Sequence, residues 1–318
     1  MATTATFDTY LSVGIREDLT DVIYNIAPSD TPFVSNVDSG TAKGTYHEWQ
    51  TDSLAAVADS PVAEGADATA AAVTPTTRLG NYCQINEKTF VISGSDLVAD
   101  NAGRGVELAY QEAKKGLELR KDIEYKCVGV SQAKAAGTGN AGGSPTAREA
   151  ATLYSWIYDN LSLGATGTAP TGDGSDVVSE GTPRAFTEAM LESVLDSCYL
   201  NGANPDTIMA NTTQKRVISS SFTGRATAIE GSHMDKKIVN AVDFYESDYG
   251  VLAIVPNRYM AQTNVFVLDT DMWSVNYYRP FKTEELAKTG DNIKKQMIVE
   301  WTLVAREPLA NGAVYALS

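Results

Sequence analysis

The sequence is short of the residues from which most metal and nucleophile sites are built. Only Cys83, Cys127 and Cys198 occur in 318 residues. Neither their odd count nor their spacing supports a disulfide framework or a zinc ligand set, and a reducing compartment suits them best. His47 and His233 are the sole histidines, so a histidine-rich metal cluster or a Ser-His-Asp arrangement has little to draw on. Long apolar runs are missing too. No window approaches the about 18 unbroken apolar residues of a membrane span, and MATTATFDTYLSVGIRED lacks the basic start and apolar core of a secretory leader. Basic residues are in deficit, 25 against 40 acidic, for a net charge of -15. That field repels phosphates and argues against a nucleic-acid grip through global charge. A hydrophobic fraction of 43% with 20% charged residues is ordinary for a folded chain, and the length suggests about two domains.

What is present is one long periodic stretch. Small and apolar residues recur at Ala109, Ala113, Gly116, Leu119, Ile123, Cys127 and Val130, in steps of three and four that fall on one helical face. From Val106 to Val130 such a helix spans on the order of 35 Å. Its other face carries Glu107, Glu112, Lys115, Glu118, Lys121, Asp122 and Lys126, a solvated surface with helical charge pairs. Before it, residues 1 to 15 read as an extended arm, Leu19, Val22, Ile23 and Ile26 make a short helical stripe ended by Pro28, and Thr31 with Pro32 opens a second turn running to Ser39-Gly40. TYHEWQTDSL and RLGNYCQINEKTFVI then predict a long hairpin around an Ala-rich connection. Neither face of its second strand is cleanly apolar, so the ribbon needs a partner to be stable. Beyond the helix, Gly137-Thr138-Gly139-Asn140-Ala141-Gly142 has the spacing of a dinucleotide loop. It follows a helical pattern rather than a strand and reads as a flexible loop, so no cofactor is expected. A second compact region starts near Ala185, with a helix capped by Thr187, a helix from about Thr212 to Ser219, and strands at 207–210, 237–245, 251–255, 265–268 and 273–278. Val251 to Val255 reads as a central strand. In the strand Lys295 to Arg306, the face made by Met297, Val299, Trp301, Leu303 and Ala305 is expected to cover the long helix. A last strand spans Ala313 to Leu317.

The strings REDLTDVIYNIAPSDTPF, TPTTRLGNYCQI, ELAYQEAKKGLEL, VFVLDTDMWSVNYYRPFKTEELAKTGD and VEWTLVAREPLANGAVY make the chain resemble, almost end to end, the major capsid proteins of tailed bacteriophages. The resemblance implies an α+β Johnson-type fold in five parts. These are an N-terminal arm at 1–40, an extension loop at 41–93, and a peripheral domain at 94–184 with a spine helix at about 104–130 and an insertion at 137–181. An axial domain at 185–270 and return strands at 271–318, completing the peripheral sheet, follow. It implies no enzyme but a virion shell of hexamers and pentamers, assembled in the host cytoplasm, that holds packaged double-stranded DNA loosely. The expected partners are copies of itself, a separate scaffolding protein, the portal and a decoration protein, with no membrane. Expected contacts between subunits are Phe33, Trp49, Leu54, Tyr82 and Phe90; expected spine packing joins Ala109, Ala113, Leu119 and Ile123 to Met297, Val299, Trp301 and Leu303. Two departures from relatives matter. The arm motif begins at Arg16, so scaffolding is expected to be a separate protein, and no lysine lies between Leu54 and Thr77 to weld neighbours, so the shell is expected to be non-covalent. An encapsulin-like compartment shares the fold and stands as the alternative, with a soluble enzyme using the 137–181 loops behind it.

Overall fold

The computed structural model describes residues 30–67, 72–99, 106–139, 145–222 and 243–318. The arm helix, His233 and most of the strand expected from 237 lie outside them. In chain order the elements begin with α1 (Pro32–Asn36), β1 (Asp38–Thr41), β2 (Tyr46–Thr51), β3 (Thr77–Tyr82), β4 (Gln84–Ser93) and α2 (Glu107–Gly129). There follow α3 (Leu153–Trp156), β5 (Asn160–Ser162), α4 (Glu188–Leu200), β6 (Thr207–Ala210) and α5 (Thr212–Ser221). The last are β7 (Phe244–Ser247), β8 (Gly250–Pro256), β9 (Val265–Leu268), β10 (Trp273–Leu286), β11 (Asn292–Ala305) and β12 (Gly312–Val314).

These strands form a four-stranded sheet in the order β1-β10-β11-β4, a six-stranded sheet in the order β5-β12-β9-β6-β8-β7, and the two-stranded ribbon β2-β3. The period-2 alternation of the six-stranded sheet divides the molecule. Phe266 and Leu268 of β9, Met209 of β6 and Ala313 of β12 turn to one core, which also holds Leu119, Ile123 and Cys127 of α2 with Trp273, Val299, Trp301 and Leu303. Val265 and Val267, Ile208 and Ala210, and Val314 turn to the other, built by Leu191, Val194, Leu195 and Cys198 of α4 with Ile218 of α5. A sheet buried on both faces needs apolar residues at successive positions, and VFVL and TIMA supply them.

Several boundaries differ from the sequence reading: the turn expected to run to Ser39-Gly40 stops at Asn36 and gives way to β1, and the strand expected at 273–278 continues as β10 to Leu286. The segment 41–93 is not one hairpin: at Cys83 it leaves the ribbon, and β4 pairs with β11 over ten rungs from Gln84↔Trp301 to Ser93↔Asn292, a pairing in which Phe90 and Ile92 are buried. The return strands are divided as well, since β12 joins the six-stranded sheet between β5 and β9 rather than the sheet of β10 and β11. Finally, β8 lies one strand from the edge and leaves Val251 60% exposed; Leu252 and Ile254 are buried on one face, while Ala253 and Val255 are only half-buried on the other.

Candidate functional site: an assembly surface

The ribbon is in register from Tyr46↔Tyr82 to Thr51↔Thr77. Alternate residues His47, Trp49 and Thr51 turn toward the body and are half-buried, while Tyr46, Glu48 and Gln50 are exposed. Trp49 lies on Trp156 of α3 with ring centroids 5.3 Å apart, and Tyr46 lies against Tyr82 at 4.6 Å. Burial lowers the pKa of His47, whose Nε2 meets Asn276 Nδ2 at 3.1 Å. Asn81 pins the base. Its Nδ2 donates to the Ala151 and Leu303 carbonyls (3.2 and 2.8 Å), and its Oδ1 accepts from the Ala151 and Tyr82 backbone N–H groups (2.8 and 2.9 Å).

Beyond the last rung, every described residue from Asp52 to Thr76 is exposed. Leu54 is 99%, Val57 104% and Val73 93% exposed. Free apolar side chains on a segment with Asp52, Asp59, Glu64 and Asp67, and no Lys or Arg before Arg78, make a surface that the subunit itself does not use.

The other expected contacts are placed differently. Phe33 is fully buried against Trp273, ring centroids 6.3 Å apart, and belongs to the subunit's own core. Phe90 is also buried. It shares a strand face with Lys88, which pairs with Asp122 of α2 at 2.7 Å, so that face is spent on the helix. Leu54 stays exposed, and Trp49 and Tyr82 are half-buried. On the spine, Leu119 and Ile123 are 0% exposed, with Val299, Trp301 and Leu303 beneath them in one core and Met297 at its margin. Ala109 and Ala113 are exposed instead. Their side chains are too short to cross to the sheet, and with Gly116, Met297 and Phe281 they line an open groove of about 570 Å³ that also holds Glu112 and Arg120.

Residues the sequence did not single out hold these parts together. Glu124 is fully buried. Its carboxylate accepts from the Phe33 and Val34 backbone N–H groups (2.9 and 2.8 Å) and from Asn257 Nδ2 (2.5 Å). It satisfies the donors at the start of α1 where the Thr31 side chain makes no capping bond. Burial raises its pKa, against the three donors that favour the charged form. Its signal in the sequence is a charge set inside an apolar stripe, between Ile123 and Cys127. Glu300 is likewise buried and takes Arg148 of the insertion and Arg279 of β10 on its two oxygens. Burial pushes the thiol of Cys83 up to about 11 and that of Cys198 up to about 12, and drives Cys127 well up, so all three are weak nucleophiles. Among the described residues no group of three or more His, Cys, Asp or Glu is placed to hold a metal ion.

Against known proteins, the model of the SU10 major capsid protein family matches residues 2–318. The chain belongs to that family. Among curated relatives, the major capsid protein of Escherichia phage Phieco32 is 27% identical over 350 aligned positions, covering 99% of this chain and 98% of that protein. Among solved structures, the cyanophage A-1(L) capsid asymmetric unit aligns with a TM-score of 0.66 at 14% identity, covering 98% of both chains. The capsid of a native GTA particle gives 0.65 at 10% identity over 100% of this chain and 99% of that one. At such identities these structures show the fold alone. The fold of this SU10-family member is therefore the Johnson type that the resemblance implied, and a capsid family over the whole chain does not favour the encapsulin-like alternative.

Proposed function

We propose that the chain builds the head shell of a tailed phage by self-association into hexamers and pentamers, without covalent cross-links, around packaged double-stranded DNA. The observation that carries this is the ribbon's outer loop. Its apolar residues Leu54, Val57 and Val73 stand free in solvent, and an adjacent copy is the partner that a shell supplies. Obligate contacts of this kind typically bury more than about 2,000 Å², to which the ribbon contributes by lying over a neighbour. The work is done by interfaces, not by a catalytic group. The net charge of -15 suits a wall that confines DNA without gripping it. A separate scaffolding protein, the portal and a decoration protein complete the assembly.

Deleting residues 55–77 is expected to leave a folded, soluble subunit that closes no shells when co-expressed with its phage neighbours. Normal particles from that variant, seen by electron microscopy, would refute the role given to the ribbon. Mature particles are expected to run as a single band on denaturing gels; a ladder of oligomers would show cross-links after all.

A further inference from the structure

After α2 the chain enters a stretch rich in Gly, Ala, Ser and Thr. Its described residues fold back on themselves through the antiparallel bridges Ala135↔Glu149, Ala165↔Thr182 and Thr168↔Ser179. The folded stretch then meets the base of the ribbon. Ala151 bonds Asn81 through both its N–H and its carbonyl, the Ala150 N–H donates to Gln84 Oε1 at 3.3 Å, and Trp156 carries Trp49. The last tie is Lys134. Its Nζ donates to the Gly80 carbonyl at 3.3 Å and to the Asp173 carbonyl at 2.5 Å, and its backbone N–H donates to the Gly174 carbonyl at 2.7 Å. One ammonium therefore joins a rung of the ribbon to the 171–176 turn.

On the turn side this clip is shaped for close approach. Gly174 has φ +85°, and a Cβ there would lie 3.0 Å from the Trp156 ring and 3.3 Å from Lys134 Cδ. The turn is held by Ser175 N and Thr171 Oγ1, which donate to Asp173 Oδ1 at 2.7 and 2.9 Å. On the ribbon, a Cβ at Gly80 would lie 2.7 Å from the Tyr46 ring, so a side chain there would press on Tyr46 and disturb the strand that offers its carbonyl to the lysine.

We propose that Lys134 is a positioning residue for assembly: by tying Gly80 to the 171–176 turn it fixes the angle at which the ribbon leaves the body. This rests on the shell-building reading above. The leverage is large. Six residues of strand span roughly 20 Å, so a tilt of about 10° at the base moves the last rung by about 3.5 Å, and the loop beyond it by more.

The test uses the full-length chain with Lys134→Met, which keeps the apolar stem, and Lys134→Arg, which keeps the donor. Hydrogen exchange on the unassembled subunit reads the ribbon directly. In Lys134→Met the amides of 46–51 and 77–82 are expected to exchange about five-fold faster, as the loss of one hydrogen bond dictates. Those of α2 should be unchanged, and Lys134→Arg should behave as the parent. In shells, Lys134→Met should broaden the particle diameters seen by electron microscopy. Parent-like ribbon exchange in Lys134→Met, or equal acceleration in α2, overturns the assignment. Should Lys134→Met not fold, Lys134→Gln carries the same comparison. If even the parent chain forms no shell, the shell-building reading fails, while exchange on the subunit still decides the role of Lys134.

Discussion

Glu124 shows most directly how one side chain sets the terms for its surroundings. The carboxylate is removed from water and met by three donors, with Arg120 one turn away as the nearest cationic influence. Burial outweighs these and lifts its pKa above the ordinary 4.5. The sign of the linkage follows. A native state that holds the proton more tightly than the unfolded chain gains stability from this group below 4.5 and loses it as pH rises through the raised value. Urea unfolding of the parent and of Glu124→Gln across pH 4 to 8 is expected to show the parent losing stability relative to the variant as pH rises through that window. A constant difference, or one of opposite slope, would show that the three donors win over burial. Truncation is harsher: Glu124→Ala leaves buried donors unpaired on α1 and on Asn257 and is expected to cost about 3 kcal/mol or more.

At the scale of elements, the long helix was the most legible part of the sequence, and its period located α2 to within a few residues. The period did not reveal that the stripe changes character along its length. Leu119, Ile123 and Cys127 are large enough to fill the space above β11, whereas Ala109 and Ala113 leave a groove, a distinction of side-chain length rather than of spacing. Leu119→Asp is therefore expected to unfold the subunit, at a cost of several kcal/mol for an unpaired buried charge. Ala113→Asp, on the same stripe, is expected to stay folded and soluble with a melting temperature near the parent's. Circular dichroism melts of the two separate the cases; a folded Leu119→Asp would make the whole stripe a contact surface. The hairpin was legible for a similar reason and mis-bounded for another. RLGNYCQINEKTFVI has no cleanly apolar face and no turn residue at Cys83, so nothing in the pattern marks where the strand stops pairing with β2 and starts pairing with β11. Pairing partners far apart in the chain decided that. The same holds for β12, three residues whose sheet is chosen by contacts with β5 and β9. The pins Asn81 and Lys134 act through backbone groups of distant segments and leave no mark in the sequence.

For the whole molecule, the resemblance read from strings along the chain reached the fold and family that composition could only bound. What composition does determine is how copies meet. Each copy carries a net charge of -15, so approach is opposed at long range and favoured only once apolar surface is in contact. Screening shortens the repulsion from about 30 Å at 0.01 M salt to about 8 Å at physiological strength. Assembly of purified subunits, followed by light scattering, is expected to speed up several-fold across that range. Slowing with added salt would mean that ion pairs between copies, not apolar burial, drive association.

The continuity of the ribbon with the body has a mechanical meaning. The chain passes from β3 through Cys83 straight into β4, and β4 is bonded to β11 along ten rungs. A pull on the outer loop travels lengthwise down β4, so those rungs are strained together in shear and cannot be peeled apart singly. Under internal pressure, the seams between copies would therefore yield before any copy unravels.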